Sequence, residues 1–170
     1  MPARPFIVGL ISDTHNLVRP EATKALAGVD HILHAGDICG DAVLTELAAI
    51  APLTAVRGNN DRGIWADKLK ATEFIELAGT SIYMVHDIAD LDIDPAAAGI
   101  HAVICGHSHQ PAIERRDGAL FVNPGSAGPR RFPPAHAMQF GTLRPQLEHF
   151  ASDHDFPAEP LQPAHETNHF

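Results

Sequence analysis

Apolar and polar positions along the chain predict short buried strands separated by helices. Five apolar runs have the length and β-branched content of such strands. In the first third, one helix is predicted to begin at Pro20 and extend to about Ala27, and a second, capped by Asp41, to about Ala49. This alternation predicts βαβ units and a parallel sheet. The five runs are Phe6–Ile11, His31–Ala35, Leu53–Val56, Ile82–Val85 and Ala102–Cys105.

From Glu73 onwards the pattern is dominated by short strands. Glu73–Leu77 and Ser81–Val85 flank Ala78-Gly79-Thr80, which is a hairpin signal. We expect this part to be largely antiparallel, so that two mixed sheets pack face to face with helices outside. The other expected elements are short helices at Ile64–Leu69 and near Pro95–Ala98, and strands at Ala112–Arg116, Leu120–Val122, Ala137–Gly141 and Gln146–Phe150.

Composition narrows the class of protein. A chain of 170 residues with 45% hydrophobic and 19% charged residues fits one globular domain. The net charge of -9 argues against extended nucleic acid as a partner, although bound cations would still permit a small phosphorylated substrate. The sequence has no signal-peptide pattern and no apolar stretch of membrane-spanning length. Two cysteines, Cys39 and Cys105, suit a reducing compartment and are expected to be small buried hydrophobes, so we expect a cytoplasmic protein.

The last part of the chain differs from the rest. From Ala151 it is polar, contains prolines and has no apolar periodicity. We therefore expect one domain over residues 1–150 and a mobile tail over residues 151–170. The tail histidines, His154, His165 and His169, are expected to be solvated rather than bound to metal.

Side chains that bind metal ions directly follow each of the five apolar runs. Ligands of an open α/β sheet bind outside the carboxyl ends of the strands, so these side chains are expected to converge on one crevice. Imidazole, carboxylate and amide donors without cysteine suit Mn²⁺, Fe²⁺, Co²⁺ or Zn²⁺. The set is Asp13, His15, Asp37, Asn59, His86, His107 and His109.

Each motif taken singly also has an ordinary structural interpretation. Asp13 and Asp37 could form turns or cap helices, and a lone His86 at a strand end is usually structural. Two features favour metal binding: residues two apart in an extended segment, such as Asp13 and His15, point the same way, and the two oxygens of Asp37 could bridge two ions. His107 and His109 repeat the spacing of two and give the strongest local signal. Metal-binding side chains at five successive strand ends seldom arise by chance, so we favour a metal site over the structural interpretation of each motif.

The full motif series resembles that of the calcineurin-like metallophosphoesterase superfamily, from Phe6 to Phe150. Its small single-domain bacterial and archaeal phosphodiesterases are the most similar group. The resemblance implies a four-layer α/β/β/α sandwich, with Asp37 bridging two metals, Asp13, His15 and His109 on the first, and Asn59, His86 and His107 on the second. It rests on Asp13-Thr14-His15, Gly36-Asp37, Gly58-Asn59-Asn60-Asp61, His86, Gly106-His107-Ser108-His109 and Asn123-Pro124-Gly125-Ser126.

The activity implied is that of a dinuclear metal-dependent phosphodiesterase acting on small or activated phosphoric esters. Mn²⁺ is the expected ion, with Fe²⁺, Co²⁺, Ni²⁺ or Zn²⁺ as alternatives. Two ions about 3.5–4 Å apart lower the pKa of a shared water, and the bridging hydroxide attacks phosphorus. The alternative is a non-catalytic protein-interaction scaffold, because a eukaryotic trafficking subunit resembles the same fold. A nuclease is a third hypothesis, which the short acidic chain disfavours.

Two positions depart from the family pattern. Many relatives carry histidine directly after the motif asparagine, whereas this chain has Asn60, which cannot act as an acid. The neighbouring Asp61 is expected to be ionised and a poor proton donor. Asn60 and Asp61 are therefore the candidate catalytic residues beyond the metal ligands. Asp87 stands where relatives usually carry glycine and would place extra negative charge near the metals.

The remaining candidates have two open interpretations each. Arg57, Arg130 and Arg131 could meet the substrate phosphate or be ordinary surface residues. His34 could support a metal ligand through a hydrogen bond or be a buried structural residue. Asn123 and Ser126 are expected to shape their loop. The sequence leaves the substrate undefined beyond a small phosphoester, and the oligomeric state open between a monomer and a homo-oligomer.

Overall fold

The computed structural model describes residues 4–129 and the backbone of two later strands, 139–143 and 149–152. The predicted tail beyond Ser152 and the two arginines at 130 and 131 lie outside the described residues. In chain order the elements are β1 (Phe6–Ile11), α1 (Pro20–Ala25), β2 (His31–His34), α2 (Asp41–Ala48), β3 (Leu53–Ala55), β4 (Thr72–Leu77), β5 (Thr80–Val85), β6 (Ala102–Ile104), β7 (Ala112–Arg116), β8 (Ala119–Asn123), β9 (Gln139–Leu143) and β10 (His149–Ser152), with single 3₁₀ turns at Ala66–Lys68 and Ile88–Asp90.

The first sheet contains the predicted parallel unit. Its strand order is β10-β9-β1-β2-β3, and β1, β2 and β3 run parallel. Strand β9 pairs antiparallel with β1, placing Gly141 opposite Val8, and β10 pairs antiparallel with β9. The two last strands begin two and three residues later than predicted, because pairing of β9 with β1 and of β10 with β9, rather than local pattern, sets their positions.

The second sheet is more parallel than predicted. Its order is β4-β5-β6-β8-β7, and β5, β6 and β8 run parallel while the two edge strands pair antiparallel. The expectation of a largely antiparallel second half is therefore wrong for the three central strands. The crossover between β5 and β6 has no long amphipathic helix, so the sequence carries no βαβ signal there.

Both hairpins of the second sheet turn through two residues with positive φ. Ala78 and Gly79 have φ of 49° and 78°, and Asp117 and Gly118 have φ of 48° and 86°. Two successive positive φ values define a type I′ turn, whose twist matches that of the flanking strands. The hairpin expected at Ala78-Gly79-Thr80 is confirmed, with the turn itself confined to its first two residues.

The sheets pack face to face over an aliphatic core. Val8, Leu10 and Leu33 of the first sheet belong to one buried cluster with Ile82 and Met84 of the second. Helices α1 and α2 cover the outer face of the first sheet through a second cluster. A third cluster lies under the irregular segment between β5 and β6. The predicted packing of two mixed sheets face to face is confirmed. In the described residues, the 3₁₀ turn Ile88–Asp90 and irregular chain, rather than an α-helix, cover the outer face of the second sheet.

Several helix predictions need correction at their ends. The residue that caps α2 is Gly40, not Asp41, which instead lies in the first turn where negative charge is favourable. A side chain at position 40 would collide with Asn16, because an added Cβ would stand 2.1 Å from its Oδ1. The helix expected at Ile64–Leu69 is reduced to the 3₁₀ turn Ala66–Lys68, and that near Pro95–Ala98 is a turn closed by Asp94.

No helix in the described part of the chain is long and apolar enough to cross a membrane.

Two isoleucines offer a matched test of the core. Ile82 is fully buried between the sheets, whereas the side chain of Ile64 is 83% exposed. Ile82→Ala should lower the free energy of unfolding by about 2–5 kcal/mol, because it leaves a cavity in a packed core. Ile64→Ala, the same change at the surface, should cost less than about 0.5 kcal/mol. Urea unfolding measures both, and equal losses would contradict the assignment of the core.

Candidate metal centre

The carboxyl ends of β1, β2, β3, β5 and β6 meet at one edge of the two sheets. The loops after β1 and β2 continue the pairing of their strands: the backbone N–H of Asp13 donates to Gly36 at 3.0 Å, and that of His15 to Asp37 at 3.0 Å. Loops from the second sheet reach the same place, since the N–H of His107 donates to Asp13 Oδ2 at 3.1 Å. The convergence of polar side chains on one crevice, expected from sequence, is present.

Backbone in the left-handed region positions these side chains. The φ angles of Asp13, His15, Asp37, His107 and His109 are 53°, 47°, 55°, 67° and 59°. Residues with a Cβ rarely adopt such angles, and clusters of them occur at functional sites, where the surrounding structure compensates their cost. The spacing of two suggested that the segment carrying Asp13 and His15 is extended. The positive φ angles show that it is not. Their side chains converge through two left-handed residues instead.

Two glycines permit the close approach of these loops. A Cβ at Gly58 would stand 2.3 Å from Asp37 Oδ1, and one at Gly106 would stand 2.7 Å from Asp13 Oδ2. Both distances are far below van der Waals contact. Any side chain at either position would push apart the loops that carry the polar cluster.

One group of side chains lies against the first sheet. Ligand atoms of Asp13, His15, Asp37 and His109 lie within 4.8 Å of one another, close enough to hold a metal ion. His15 Nε2 and His109 Nε2 are 3.2 Å apart, and His109 Nε2 is 3.2 Å from Asp13 Oδ1. The buried Oδ1 of Asp13 accepts no hydrogen bond within the described part of the chain. A buried oxygen in that state, aimed among ring nitrogens, fits a cation.

A second group lies beside the first. Asn59 Oδ1 is 3.0 Å from His86 Nε2 and 3.1 Å from His107 Nδ1. His86 Nδ1 lies 2.7 Å from the carbonyl oxygen of Ala35, which can only accept, so this nitrogen carries the proton. In the neutral ring, Nε2 of His86 is then a bare electron pair facing another acceptor. His86 Nε2 and Asn59 Oδ1 could both serve as ligands of a cation, which would supply the positive charge that faces them.

Asp37 lies between the groups. Its Oδ1 is 3.5 Å from His86 Nε2 and its Oδ2 is 3.9 Å from His15 Nε2. Burial alone would raise the pKa of Asp37, but hydrogen bonds involving His86 and both nitrogens of Asn60 outweigh it and hold the pKa well below its ordinary range. Asp37 is therefore ionised, with one oxygen turned to each group.

Two groups in this cluster have pKa values raised above their ordinary values. Burial opposes the charged form of His86, yet the carboxylate of Asp37 and the carbonyl of Ala35 raise its pKa above the ordinary value. Burial also raises the pKa of Asp13, against the lowering effect of Ser12. Both shifts favour the protonated form, as expected where acceptor atoms are concentrated.

Comparison with known proteins decides the family. A family model, the calcineurin-like phosphoesterase superfamily domain, matches residues 6–144. The chain belongs to this superfamily. It is 37% identical to a probable metallophosphoesterase of Methanothermobacter thermautotrophicus over 132 residues, which cover 71% of this chain and 77% of that protein.

Two solved structures extend this comparison to the fold. An archaeal phosphodiesterase, described as structurally and functionally characterised, superposes with a TM-score of 0.68 at 21% identity, covering 86% of this chain and 99% of that one. Vacuolar Protein Sorting 29 from Cryptosporidium parvum superposes with a TM-score of 0.69 at 19% identity, covering 82% and 86%. At these identities the likeness concerns the calcineurin-like fold alone.

Asn60 and Asp61 connect the loop after β3 to the loop after β2 that carries Asp37. The backbone N–H and side-chain Nδ2 of Asn60 donate to Asp37 at 2.8 and 2.6 Å. Asp61 is buried, and its carboxylate accepts from the backbone N–H groups of Asp37, Gly58 and Cys39 at 3.1, 2.7 and 2.7 Å. The geometry therefore gives Asp61 a positioning role between the loops after β2 and β3, not that of a proton donor.

His34 connects two loops from beneath the cluster. The N–H of Gly36 donates to His34 Nδ1 at 3.1 Å, so Nε2 carries the proton and faces Thr14 Oγ1 at 3.1 Å. Thr14 in turn donates to the carbonyl oxygen of Ile38 at 3.2 Å. Burial lowers the pKa of His34 to about 3, so it remains neutral. Of the two interpretations left open by the sequence, the fully buried, hydrogen-bonded one matches this geometry.

The other polar candidates, Asn123, Ser126 and Arg57, hydrogen-bond to loops around the cluster. Asn123 Nδ2 donates to the carbonyl oxygen of Gly106 at 2.6 Å, and Ser126 Oγ to that of Asp13 at 2.9 Å, so both shape loops as expected. Arg57 donates to the Asp61 carbonyl at 3.2 Å and to Asp67 at 3.1 Å.

The two cysteines differ from each other. Cys105 is buried as expected, and burial raises its pKa to about 11. Cys39 is only partly buried, and its Sγ lies 3.5 Å from His15 Nδ1, so its interpretation as a small buried hydrophobe is wrong. The contact of Cys39 with His15 had no sequence signal, since it joins residues 24 apart.

Acidification is expected to destabilise the fold through His34. The pKa of His34 is about 3 in the folded protein, against an ordinary value of 6.5 that applies to the unfolded chain. Below pH 6.5, His34 therefore binds a proton more readily in the unfolded chain than in the folded protein. The free energy of unfolding should therefore fall, by an amount of order a few kcal/mol, as the pH drops from about 6.5 towards 3. Urea unfolding of metal-free protein across this range measures the loss.

His34→Gln is the control for this effect. The variant lacks the titrating ring, so it should be less stable at neutral pH yet lose less on acidification than the parent protein. Identical losses in the two proteins would contradict the assignment to His34.

Proposed function

We propose that this protein is a dinuclear metal-dependent phosphodiesterase acting on small or activated phosphoric esters. Membership of the calcineurin-like phosphoesterase superfamily and the likeness to a probable metallophosphoesterase support a phosphoesterase. The observation that carries the proposal is the facing of acceptor atoms across the cluster, with the buried Asp13 Oδ1 making no hydrogen bond in the described structure and lying 3.2 Å from His109 Nε2. Electron pairs packed in this way are stable only with positive charge between them.

The donor set suggests places for two ions. Asp13, His15 and His109 would hold one, and Asn59, His86 and His107 the other, with one oxygen of Asp37 turned to each. These donors contain no sulfur, which fits Mn²⁺ and also Fe²⁺, Co²⁺, Ni²⁺ or Zn²⁺. Bound divalent ions would supply a water of lowered pKa and positive charge to offset the transition state.

The protein's own residues organise access and geometry. The side chains of Asp13 and Asp37 are 0% and 2% exposed, whereas those of His109 and His107 are 26% and 45% exposed. A substrate phosphate would therefore approach from the side of the two histidines after β6. Asn60 and Asp61 keep Asp37 fixed from behind, so its oxygens do not reorient when a phosphate binds.

The non-catalytic scaffold is the second candidate. It is favoured by the fold likeness to Vacuolar Protein Sorting 29 from Cryptosporidium parvum. The filled set of donor positions favours the enzyme over the scaffold. Metal-replete protein that binds a stable partner and hydrolyses no phosphoester would reverse this order.

Hydrolysis of a diaryl diester tests the proposed activity. Protein stripped of metal and reloaded with Mn²⁺ should hydrolyse bis-p-nitrophenyl phosphate, and Asp37→Asn or His107→Ala should lower kcat/KM at least about a hundredfold. The release of nitrophenolate gives the rate. Asp41→Asn, the same change at an exposed position, should leave the rate unaltered. Turnover that survives both cluster variants would refute the assignment.

The leaving group should decide the rate. Asn60 cannot donate a proton as an acid, and the Asp61 carboxylate is occupied by backbone N–H groups. An alkoxide leaving group requires protonation, whereas a nitrophenolate leaves as the anion. We expect kcat for aryl diesters to exceed that for alkyl diesters by at least about a hundredfold. Equal rates for methyl p-nitrophenyl and dimethyl phosphates would show that a proton donor is present.

A further inference from the structure

We propose that Asp87 is a positioning residue that fixes the tautomer and orientation of His107, so that the Nδ1 electron pair of this ring faces the cluster. The inference rests on the proposed function for its significance, because it concerns the second of the two proposed ion sites. The geometry on which it stands is independent of any reaction.

The carboxylate of Asp87 lies on the far side of the His107 ring. Its Oδ2 is 3.3 Å from His107 Nε2, while His107 Nδ1 is 3.1 Å from Asn59 Oδ1 inside the cluster. Both neighbours of the ring are acceptors, and the charged carboxylate of Asp87 attracts the ring proton more strongly than the neutral amide oxygen of Asn59, so Nε2 carries the proton. Nδ1 of the neutral ring is then the bare nitrogen, which is the state required of a metal ligand.

Asp87 is itself held in place. It is the N-cap of the 3₁₀ turn Ile88–Asp90, and its Oδ1 accepts from the backbone N–H of Ala89 at 3.0 Å. One oxygen therefore anchors the side chain to its own loop and the other reaches His107. This division also explains why a residue with two acceptor atoms, rather than one, suits the position.

The same arrangement recurs at His86. The carbonyl oxygen of Ala35 lies 2.7 Å from His86 Nδ1 and leaves Nε2 bare towards Asn59. The two histidines thus present opposite ring nitrogens to the same amide oxygen, each selected by an acceptor behind it. The His107 ring is more exposed, with 45% of its side chain accessible, so packing restrains its orientation less and the contact with Asp87 contributes more.

Histidine nitrogen spectra of the metal-free protein test the tautomer directly. Long-range ¹H–¹⁵N correlation at about pH 8, where an ordinary imidazole is neutral, distinguishes a protonated from a bare nitrogen. We expect His107 to carry its proton on Nε2. A proton found on Nδ1 would overturn the proposal, whatever the catalytic activity of the protein.

Asp87→Asn then reverses the contact without changing the shape of the side chain. Its amide oxygen can keep the cap on Ala89, which directs the NH₂ group at His107 Nε2 and favours the proton on Nδ1. Calorimetric titration with Mn²⁺ should show one of two ions bound about 10- to 100-fold more weakly, with the other unchanged. Asp87→Ser, which retains a capping oxygen but cannot reach the ring, should leave the two tautomers mixed.

Asp90→Asn is the matched control. It removes the same charge three residues along the chain and should change neither the tautomer nor the Mn²⁺ titration. An unchanged tautomer and titration in Asp87→Asn, or an equal change in Asp90→Asn, would contradict the proposal. Failure of the proposed function has a different signature: wild-type protein with the expected tautomer that hydrolyses no phosphoester.

Discussion

Repulsion between electron pairs is the constraint on which the rest of the site depends. Carboxylate oxygens, an amide oxygen and imidazole nitrogens from five loops are held within a few ångströms of one another. Left alone, such atoms would separate or take up protons, and the raised pKa values of Asp13 and His86 express the second tendency. The fold must therefore hold the cluster rigidly enough that a cation, not a rearrangement, relieves the repulsion.

Two packed sheets supply that rigidity. The aliphatic core between them fixes the strand ends, and backbone hydrogen bonds carry the pairing of β1 and β2 into the loops. Left-handed residues and close-approach glycines then turn the side chains inward. Behind the cluster, Asp61 joins the loops after β2 and β3, and His34 and Thr14 join the loops after β1 and β2. The carbonyl oxygen of Ala35 and the carboxylate of Asp87, behind His86 and His107, determine which nitrogen of each ring faces the cluster.

Much of this could be predicted from the sequence, for identifiable reasons. Buried parallel strands such as Phe6–Ile11 read as continuous apolar runs, and the residues after them must meet at one edge of a sheet. Asp37 lies between the two groups of donor side chains with one oxygen turned to each, as its two oxygens led us to expect. The parallel pairing of β6 with β8 escaped prediction, because no helix marks the crossovers. The contacts of Cys39 with His15 and of Asp87 with His107 also escaped it, because tertiary structure alone joins them.

Crystals soaked in Mn²⁺ and measured for anomalous scattering test the central claim most directly. The account predicts two peaks per chain, one among Asp13, His15 and His109 and one among Asn59, His86 and His107, with Asp37 reaching both. Two peaks at those places would leave the chemistry to be measured, whereas an empty cluster, or side chains turned apart from one another, would contradict the account.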